Sequence, residues 1–215
     1  MARPKKNETV QPLTLISTAA SLFAERGYHG TSMREIAKAA GVNMATISYH
    51  FGSKEGLYHA VFRELAENER GQYQHFVEGL SDAVFQDSQK FRQATHDLLD
   101  LYIHASTSSP LDFQLWNQYS RDFPQKTRIL AAEYDLPIFE MIVHLFERAR
   151  DNGIIAPKTK NLGMIVSVIT SMVSRFCEKR FLDSVSGEDI YGIERIEDLK
   201  NFLVFYWDLM LGFQP

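Results

Sequence analysis

The side chains with the clearest chemical potential lie on one short stretch, residues 44–51, and that chemistry is hydrogen bonding to another molecule. At about 100° per residue along a helix, an inward-pointing Ile47 leaves one small, two hydroxyl-bearing and one aromatic side chain facing outward. These are Ala45, Thr46, Ser48 and Tyr49. Hydroxyls can bond base edges in the major groove of DNA, and small apolar groups can meet the thymine methyl. The stretch has no carboxylate, so we expect it to contact DNA, although a helical hairpin buried in a core would share the pattern.

A tight turn before this stretch would hold it in position. Ser32 and Glu35 form the Ser-x-x-Glu pattern that caps the start of a helix. Gly41 accepts the left-handed conformation that ends a helix, and Asn43 can cap the helix that follows. Together they predict a helix-turn-helix, in which the second helix enters the groove and the first crosses the DNA backbone.

One helix is predicted on each side of this motif. The first runs from Pro12 to Arg26, with Gly27 closing it. The other begins near Lys54, after the capping residue Ser53. Because Lys54 stands at an exposed helix start beside the outward-facing helix, we expect it to bind a DNA phosphate.

The charge of the chain is unevenly distributed. The net charge is −4, which by itself argues against nucleic acid. Residues 1–63, however, hold eight Lys or Arg and four Asp or Glu, whereas the remainder holds fifteen basic and twenty-three acidic residues. This asymmetry indicates a DNA-binding head on a body with a different task.

Composition and motifs narrow the remaining function classes. The chain has 215 residues and 45% hydrophobic residues, typical of a globular protein. The single cysteine excludes an internal disulfide, and no apolar run approaches the roughly 20 residues that span a bilayer. We therefore expect a cytoplasmic protein without membrane association. A Gly-rich phosphate loop, GxSxG and HExxH are all absent, so neither an enzyme nor a metal or cofactor site is predicted.

The segment Ala19–Ala37, the pair Gly41-Val42 and the run Tyr49–Leu57 resemble the N-terminal domain of the TetR family of bacterial transcriptional regulators. The resemblance covers roughly residues 12–62. It implies an all-α protein, with a three-helix DNA-binding domain followed by a helical domain that dimerises and usually binds a small effector. Carried over by motif, the DNA-binding residues are Ser32, Arg34, Met44, Ala45, Thr46, Ser48, Tyr49, His50 and Lys54.

Two of these residues have a second interpretation. In the family the position of Tyr49 more often packs against DNA backbone and sugar, so its role is mixed. His50 tilts back toward the core side of the helix and either contacts DNA or packs inward.

The domain division predicted from the sequence is residues 1–55 for DNA binding and 56–215 for effector binding and dimerisation. The second part has no strand-like alternation of any length. Pro137 should kink or split one of its helices. The predicted helices cover about 64–86, 90–106, 111–122, 125–151, 159–183 and 194–212.

The last two predicted helices are apolar over an unusually wide arc. Such helices are buried on two sides, one side being their own core and the other most simply a second copy of the chain. The alternative is that both are central helices of a monomer. A two-fold dimer would read a palindromic DNA site.

Aromatic and polar-tipped residues of the middle helices could line an effector pocket, although each could equally be ordinary core. The candidates are Tyr102, Phe113, Trp116, Tyr119, His144 and Met172. The sequence thus predicts a homodimeric repressor that a small molecule releases from a palindromic operator. The alternative is an effector-independent architectural or division-related DNA-binding protein, and a cavity among the middle helices would discriminate between the two.

Overall fold

The computed structural model describes residues 12–108, 110–157, 160–177 and 193–213. Every regular element in these ranges is helical, which confirms the all-α prediction. A 3₁₀-helix covers Asp82–Gln86 and a π-helical turn covers Ala131–Asp135. The α-helices are α1 (Pro12–Gly30), α2 (Met33–Ala40), α3 (Met44–Phe51), α4 (Lys54–Glu78), α5 (Ser88–Ser108), α6 (Pro110–Asp122), α7 (Pro124–Leu130), α8 (Leu136–Asp151), α9 (Leu162–Cys177) and α10 (Ile193–Leu211).

The chain forms two compact units. Unit 1 contains the residues up to Asn68 together with Pro110–Ala131. Unit 2 contains Glu69–Ser109 and the residues from Ala132 onward. The sequence placed the division after residue 55, whereas the structure places residues 56–68, α6 and α7 in unit 1. The physical reason is that α6 packs against α1, a contact between residues far apart in the chain.

Local sequence explains the first three helices. Gly27 has φ 71° and ψ 172°, so it breaks α1 where the sequence predicted its end. Ser32 and Glu35 form the predicted capping box at the start of α2. Gly41 adopts the left-handed conformation at its end, with φ 69°. Asn43 then caps α3 by accepting a hydrogen bond from the backbone of Thr46.

The core of unit 1 is built from apolar faces of α1, α2, α3, α4 and α6, with several aromatic rings in contact. Tyr58 of α4 lies edge-on to Phe23 of α1, with centroids 4.6 Å apart. Phe62, one turn further along α4, stacks on Tyr119 of α6 at 4.1 Å. The fully buried members are Leu15, Ala19, Phe23, Ile36, Ile47, Leu57, Tyr58, Val61 and Phe62.

Helix α4 begins where the sequence predicted and ends earlier than the helix predicted over 64–86. It begins at Lys54, where Ser53 caps it by accepting from the backbone N–H of Gly56 at 3.0 Å. It ends at Glu78, and the predicted continuation to residue 86 is a separate 3₁₀-helix. The two elements are divided by the turn at residues 79–81.

Pro137 divides its helix as predicted. Because proline has no N–H to donate, it is accommodated best in the first turn of a helix. Here Pro137 lies in the first turn of α8, and the π-helical turn separates α8 from α7. The single helix predicted over 125–151 is therefore three consecutive segments.

Unit 2 has an apolar core that contains one buried charged group. Asp208 of α10 is only 7% exposed. Arg92 of α5 donates to its carboxylate at 2.7 and 3.0 Å, and His96 lies 2.7 Å from its other oxygen. These partners offset the cost of burying the charge. Across the described ranges, no helix is both long and apolar enough to span a membrane.

Candidate nucleic-acid interface

Helix α3 has a buried side and an exposed side, as the helical wheel predicted. Ile47 is fully buried, whereas Tyr49 is 85% exposed and Met44 is 42% exposed. The other exposed side chains of this helix are Ala45, Ser48 and His50. The His50 side chain therefore does not pack inward, and the open side of α3 carries aromatic, hydroxyl, imidazole and small apolar groups without a carboxylate.

Thr46 is the member of the predicted face that is not fully open. Its hydroxyl lies 3.1 Å from Oδ1 of Asn43, which also accepts from the Thr46 backbone N–H at 2.8 Å. The amide oxygen of Asn43 can only accept, so the Thr46 hydroxyl donates its proton locally. Its oxygen still has lone pairs, and Thr46 can therefore act toward DNA only as an acceptor.

Helix α2 presents Arg34 to solvent, and this guanidinium has no hydrogen bond or ion pair within the described ranges. Ser32 is engaged locally: its hydroxyl lies 2.7 Å from Glu35, whose carboxylate also accepts from the Ser32 backbone. Arg26 donates to the same carboxylate at 3.0 Å. The hydrogen bonds from Ser32 and the charge of Arg26 lower the pKa of Glu35 and keep it ionised. The Glu35 charge is thus neutralised within the motif.

Lys54 has a role that the sequence did not indicate. Its ammonium donates to the carbonyl oxygen of Thr31 at 2.8 Å and lies 4.2 Å from the centre of the Tyr28 ring. Thr31 is itself buried, and its hydroxyl donates to the carbonyl oxygens of Gly27 and Leu22. Lys54 therefore connects the start of α4 to the segment that introduces α2. The predicted phosphate contact is not tested by these contacts.

The family model for bacterial regulatory proteins of the tetR family matches residues 15–61. The N-terminal domain is that of the TetR family. The matched range contains the capping box, the turn, α3 and the start of α4, so the resemblance predicted from the sequence is confirmed.

Individual relatives are similar to this chain over different lengths. The HTH-type transcriptional repressor KstR2 of Rhodococcus jostii (strain RHA1) is 34% identical over 94 residues, which are 41% of this chain and 46% of KstR2. The chain thus spans about half the length of that relative. The HTH-type transcriptional activator FasR of Mycolicibacterium smegmatis is 27% identical over 168 residues, 75% of this chain and 69% of FasR.

Solved structures share the fold over nearly the whole chain. FadR from Bacillus subtilis, in complex with stearoyl-CoA, has a TM-score of 0.68 at 15% identity. It covers 90% of this chain, and the match includes 98% of FadR. FadR from Bacillus halodurans has the same TM-score at 16% identity, covering 93% of this chain and 96% of that protein. At these identities the likeness shows the fold alone.

The six predicted effector residues lie in different settings. Trp116 and Tyr119 belong to unit 1, where the ring of Tyr119 stacks on Phe62 and its hydroxyl lies 2.8 Å from His59. In unit 2, His144 is exposed along a surface groove of about 440 Å³. Met172 of α9 is half-buried, and the side chain of Phe113 lies outside the described part of the chain.

Among the predicted effector residues whose side chains the structure describes, Tyr102 lines an internal cavity. The cavity lies in unit 2 and also borders Tyr73 and Trp207, which the sequence did not single out. Both were hidden among regularly spaced apolar residues, and Trp207 fell in the helix assigned to dimerisation. A useful indication would have been that each is an aromatic with a hydrogen-bond donor, since buried tyrosine and tryptophan usually have a partner.

In the described ranges, no three His, Cys, Asp or Glu side chains lie close enough together to hold a metal ion. The described residues are therefore suited to binding other molecules. Helix α3 has an exposed side beside Arg34, which is unpaired within the described ranges, and unit 2 has an apolar cavity.

Proposed function

We propose that this chain is a sequence-specific DNA-binding regulator of transcription, acting as a homodimeric repressor that a small-molecule effector releases from a palindromic operator. The observation that carries the proposal is the exposed, carboxylate-free side of α3, held by the buried Ile47 in a TetR-type helix-turn-helix. Such a helix fits the major groove, and its partner helix crosses the phosphate backbone.

The proposed contacts follow from what each side chain has free. Arg34 binds phosphate or a guanine edge through its unengaged guanidinium. Tyr49 packs on backbone and sugar, while Met44 and Ala45 meet apolar base edges. Ser48 and His50 hydrogen-bond to base or phosphate oxygens. The hydroxyl oxygens of Ser32 and Thr46 accept hydrogen bonds from DNA through their remaining lone pairs. Lys54 chiefly positions α2. Its ammonium contributes to phosphate binding only through the N–H groups that do not bond to Thr31.

Exposed apolar side chains on α9 and α10 support a dimer through these helices. Phe205 is 65% exposed, Met164 57%, Phe202 53% and Leu209 48%. Large apolar groups exposed together on a helix commonly mark a contact surface. A second copy of the chain is the occupant that the function requires, because a two-fold protein matches a palindromic site.

Effector release is supported by the internal cavity of unit 2. FadR of Bacillus subtilis has been solved with stearoyl-CoA bound, so a protein of this fold does accommodate a ligand. In this chain α4 contributes residues 54–68 to unit 1 and residues 69–78, with Tyr73, to unit 2. A ligand that displaces Tyr73 would therefore act on the helix that Lys54 begins. By linkage, operator DNA would weaken effector binding by the same factor.

Repression is the sign of regulation that we propose, as in KstR2, whereas FasR is an activator. The site of action is the bacterial cytoplasm, where operator DNA lies, and no catalytic activity is proposed. The free protein occupies the operator and blocks transcription until the effector binds.

Footprinting on the DNA upstream of its own gene, at two salt concentrations, tests the proposal. We expect a protected palindrome with steep salt dependence, because phosphate contacts release counterions. Transcription from that DNA in vitro should fall when the protein is added. Absence of sequence-specific protection by a folded dimer, tested also on a random genomic library, would contradict the proposal. Increased transcription would contradict repression but not the proposed DNA binding.

A further inference from the structure

A small internal cavity of unit 2 lies where five helices converge. Its volume is about 30 Å³, about that of a single water molecule. The walls come from α4, α5, α8, α9 and α10 and are almost entirely apolar. The lining residues are Tyr73, Leu98, Leu99, Tyr102, Ile142, Val166, Ile169, Thr170 and Trp207.

Two of the lining side chains have a buried polar atom with no partner. The Tyr73 hydroxyl and the Trp207 indole nitrogen make no hydrogen bond within the described part of the chain. The two residues are 2% and 3% exposed, so bulk water does not serve either group. Tyr102 on the same wall differs, because its hydroxyl donates to the carbonyl oxygen of Thr170 at 3.1 Å. Buried polar groups are normally satisfied, which makes a pair of unsatisfied ones at a single cavity informative.

The Tyr73 hydroxyl and the Trp207 indole N–H both favour a ligand with a hydrogen-bond acceptor. An indole N–H can only donate, and burial raises the pKa of Tyr73, so its hydroxyl also keeps its proton to donate. The described residues that line the cavity include no lysine, arginine or histidine. The charge of Glu69 acts on Tyr73 and opposes a second negative charge beside it. The complementary ligand is therefore uncharged.

We propose that this cavity binds a small, neutral, mostly apolar molecule whose carbonyl oxygen accepts hydrogen bonds from Tyr73 and Trp207. The assignment names the chemical class of the effector and so rests on the proposed function. A ligand larger than water fits only when the lining helices move apart, and α4 is one of them. Binding is thus coupled to a change in the helix that also belongs to unit 1.

A matched set of eight-carbon probes tests this site on the full chain without DNA: 2-octanone, octane, octanoate and octylamine. The readout is the indole N–H resonance in ¹H–¹⁵N NMR, with Trp116→Phe assigning the signal of Trp207. We expect 2-octanone to shift this resonance downfield. We also expect it to bind about threefold to tenfold more tightly than octane, the range for one or two hydrogen bonds, and more tightly than either charged probe.

The variants separate the donors from the apolar walls. Tyr73→Phe should remove most of the preference for ketone over alkane while leaving octane binding intact. Tyr102→Phe is the matched control, because its hydroxyl already has a partner, and it should retain the preference. If circular dichroism shows that Tyr73→Phe does not fold, two measurements on the wild-type protein still test the proposal. These are the indole shift and the ratio of its affinities for 2-octanone and octane.

Equal binding of octane and 2-octanone without an indole shift would overturn the assignment. So would a cavity that binds none of the probes and holds a bound water only, or one that prefers octanoate. The effect of 2-octanone on operator affinity is measured separately. Ketone binding that leaves operator affinity unchanged would contradict effector release but uphold the site. Operator binding without ketone binding would contradict the site but leave the proposed DNA binding intact.

Discussion

The hydroxyl of Tyr119 lies 2.8 Å from Nδ1 of His59, so that α6 and α4 are joined by a hydrogen bond inside unit 1. On the other side of the imidazole, the ammonium of Lys126 lies 2.6 Å from Nε2. The same nitrogen also lies 3.2 Å from Oε1 of Glu55, so an ammonium and a carboxylate both meet this edge of the ring. Lys126 also pairs with Glu55 one turn earlier on α4. Burial and the ammonium of Lys126 disfavour the charged form of His59, against the opposing carboxylate of Glu55.

The lowered pKa of His59 predicts a pH dependence of stability. Burial lowers the pKa of His59 below its ordinary value of about 6.5, and the charges of Lys126 and Arg63 lower it further, against the opposing hydrogen bond and charge of Glu55. Between the folded and unfolded pKa values, His59 is protonated in the unfolded chain and neutral in the folded chain. The stabilising contribution is complete above about pH 6.5 and is lost as the pH falls from there through the folded pKa.

Urea unfolding between pH 5 and 8 checks this expectation. His59→Gln should flatten the loss of stability on the acidic side relative to wild type. His75→Gln, at an exposed histidine of the same helix, serves as the control and should keep the wild-type profile. A variant at residue 59 with an unaltered slope would show that the imidazole is not held neutral.

Tyr49→Ala should weaken operator binding without loss of fold, because the ring is 85% exposed on α3. The expected loss is about 1–3 kcal/mol, which is roughly 5- to 150-fold in affinity, because a large ring that packs on DNA backbone and sugar is removed. Fluorescence anisotropy with the footprinted operator measures it, and the melting temperature should stay within about 2 °C of wild type, as expected for an exposed residue. Unchanged affinity would remove Tyr49 from the interface.

Lys54→Met should lower the free energy of unfolding by about 1–2 kcal/mol, because the charged donor to Thr31 is lost. Lys38→Met is the control, at an exposed lysine of α2, and should change stability by less than about 0.5 kcal/mol. The slope of operator affinity against salt tests the sequence-based prediction separately. A decrease of about one would establish a phosphate contact by Lys54, and an unchanged slope would assign it to positioning alone.

Phe205→Glu should dissociate the proposed dimer, because a buried carboxylate without a partner is costly at an interface. Ile129→Glu introduces the same charge at a 64% exposed apolar residue of α7 and should leave the dimer intact. Light scattering after size-exclusion chromatography gives the mass of each variant. A dimeric Phe205→Glu protein would place the contact surface elsewhere.

The helix-turn-helix could be predicted because its determinants are neighbours in the chain. Ser32 with Glu35, and Asn43 with Thr46, are pairs three residues apart whose hydrogen bonds depend only on local backbone geometry. The division of α1 at Gly27 follows in the same way from a single residue type. The apolar spacing around Ile47 was then enough to decide which side of α3 faces outward.

The surroundings of the residues proposed to line an effector pocket could not be predicted equally well, because burial and pairing there depend on distant segments. Tyr119 was expected near a ligand, but its hydroxyl bonds His59, 60 residues away. Lys54 likewise points to Thr31, 23 residues earlier. Tyr73 and Trp207 share a cavity although most of the chain separates them. A periodic pattern shows that such residues face inward but not which neighbours they meet.

The amino-acid sequence by itself determined the helical class, the helix-turn-helix and the outward face of α3, since caps, turns and period are short-range properties of the chain. Only the tertiary structure decided that α6 and α7 join unit 1, that Lys54 is bonded to Thr31, and that two donors are left without partners beside a cavity. The reason is that packing selects among many compatible partners for each inward-facing side chain, and that choice depends on the whole fold.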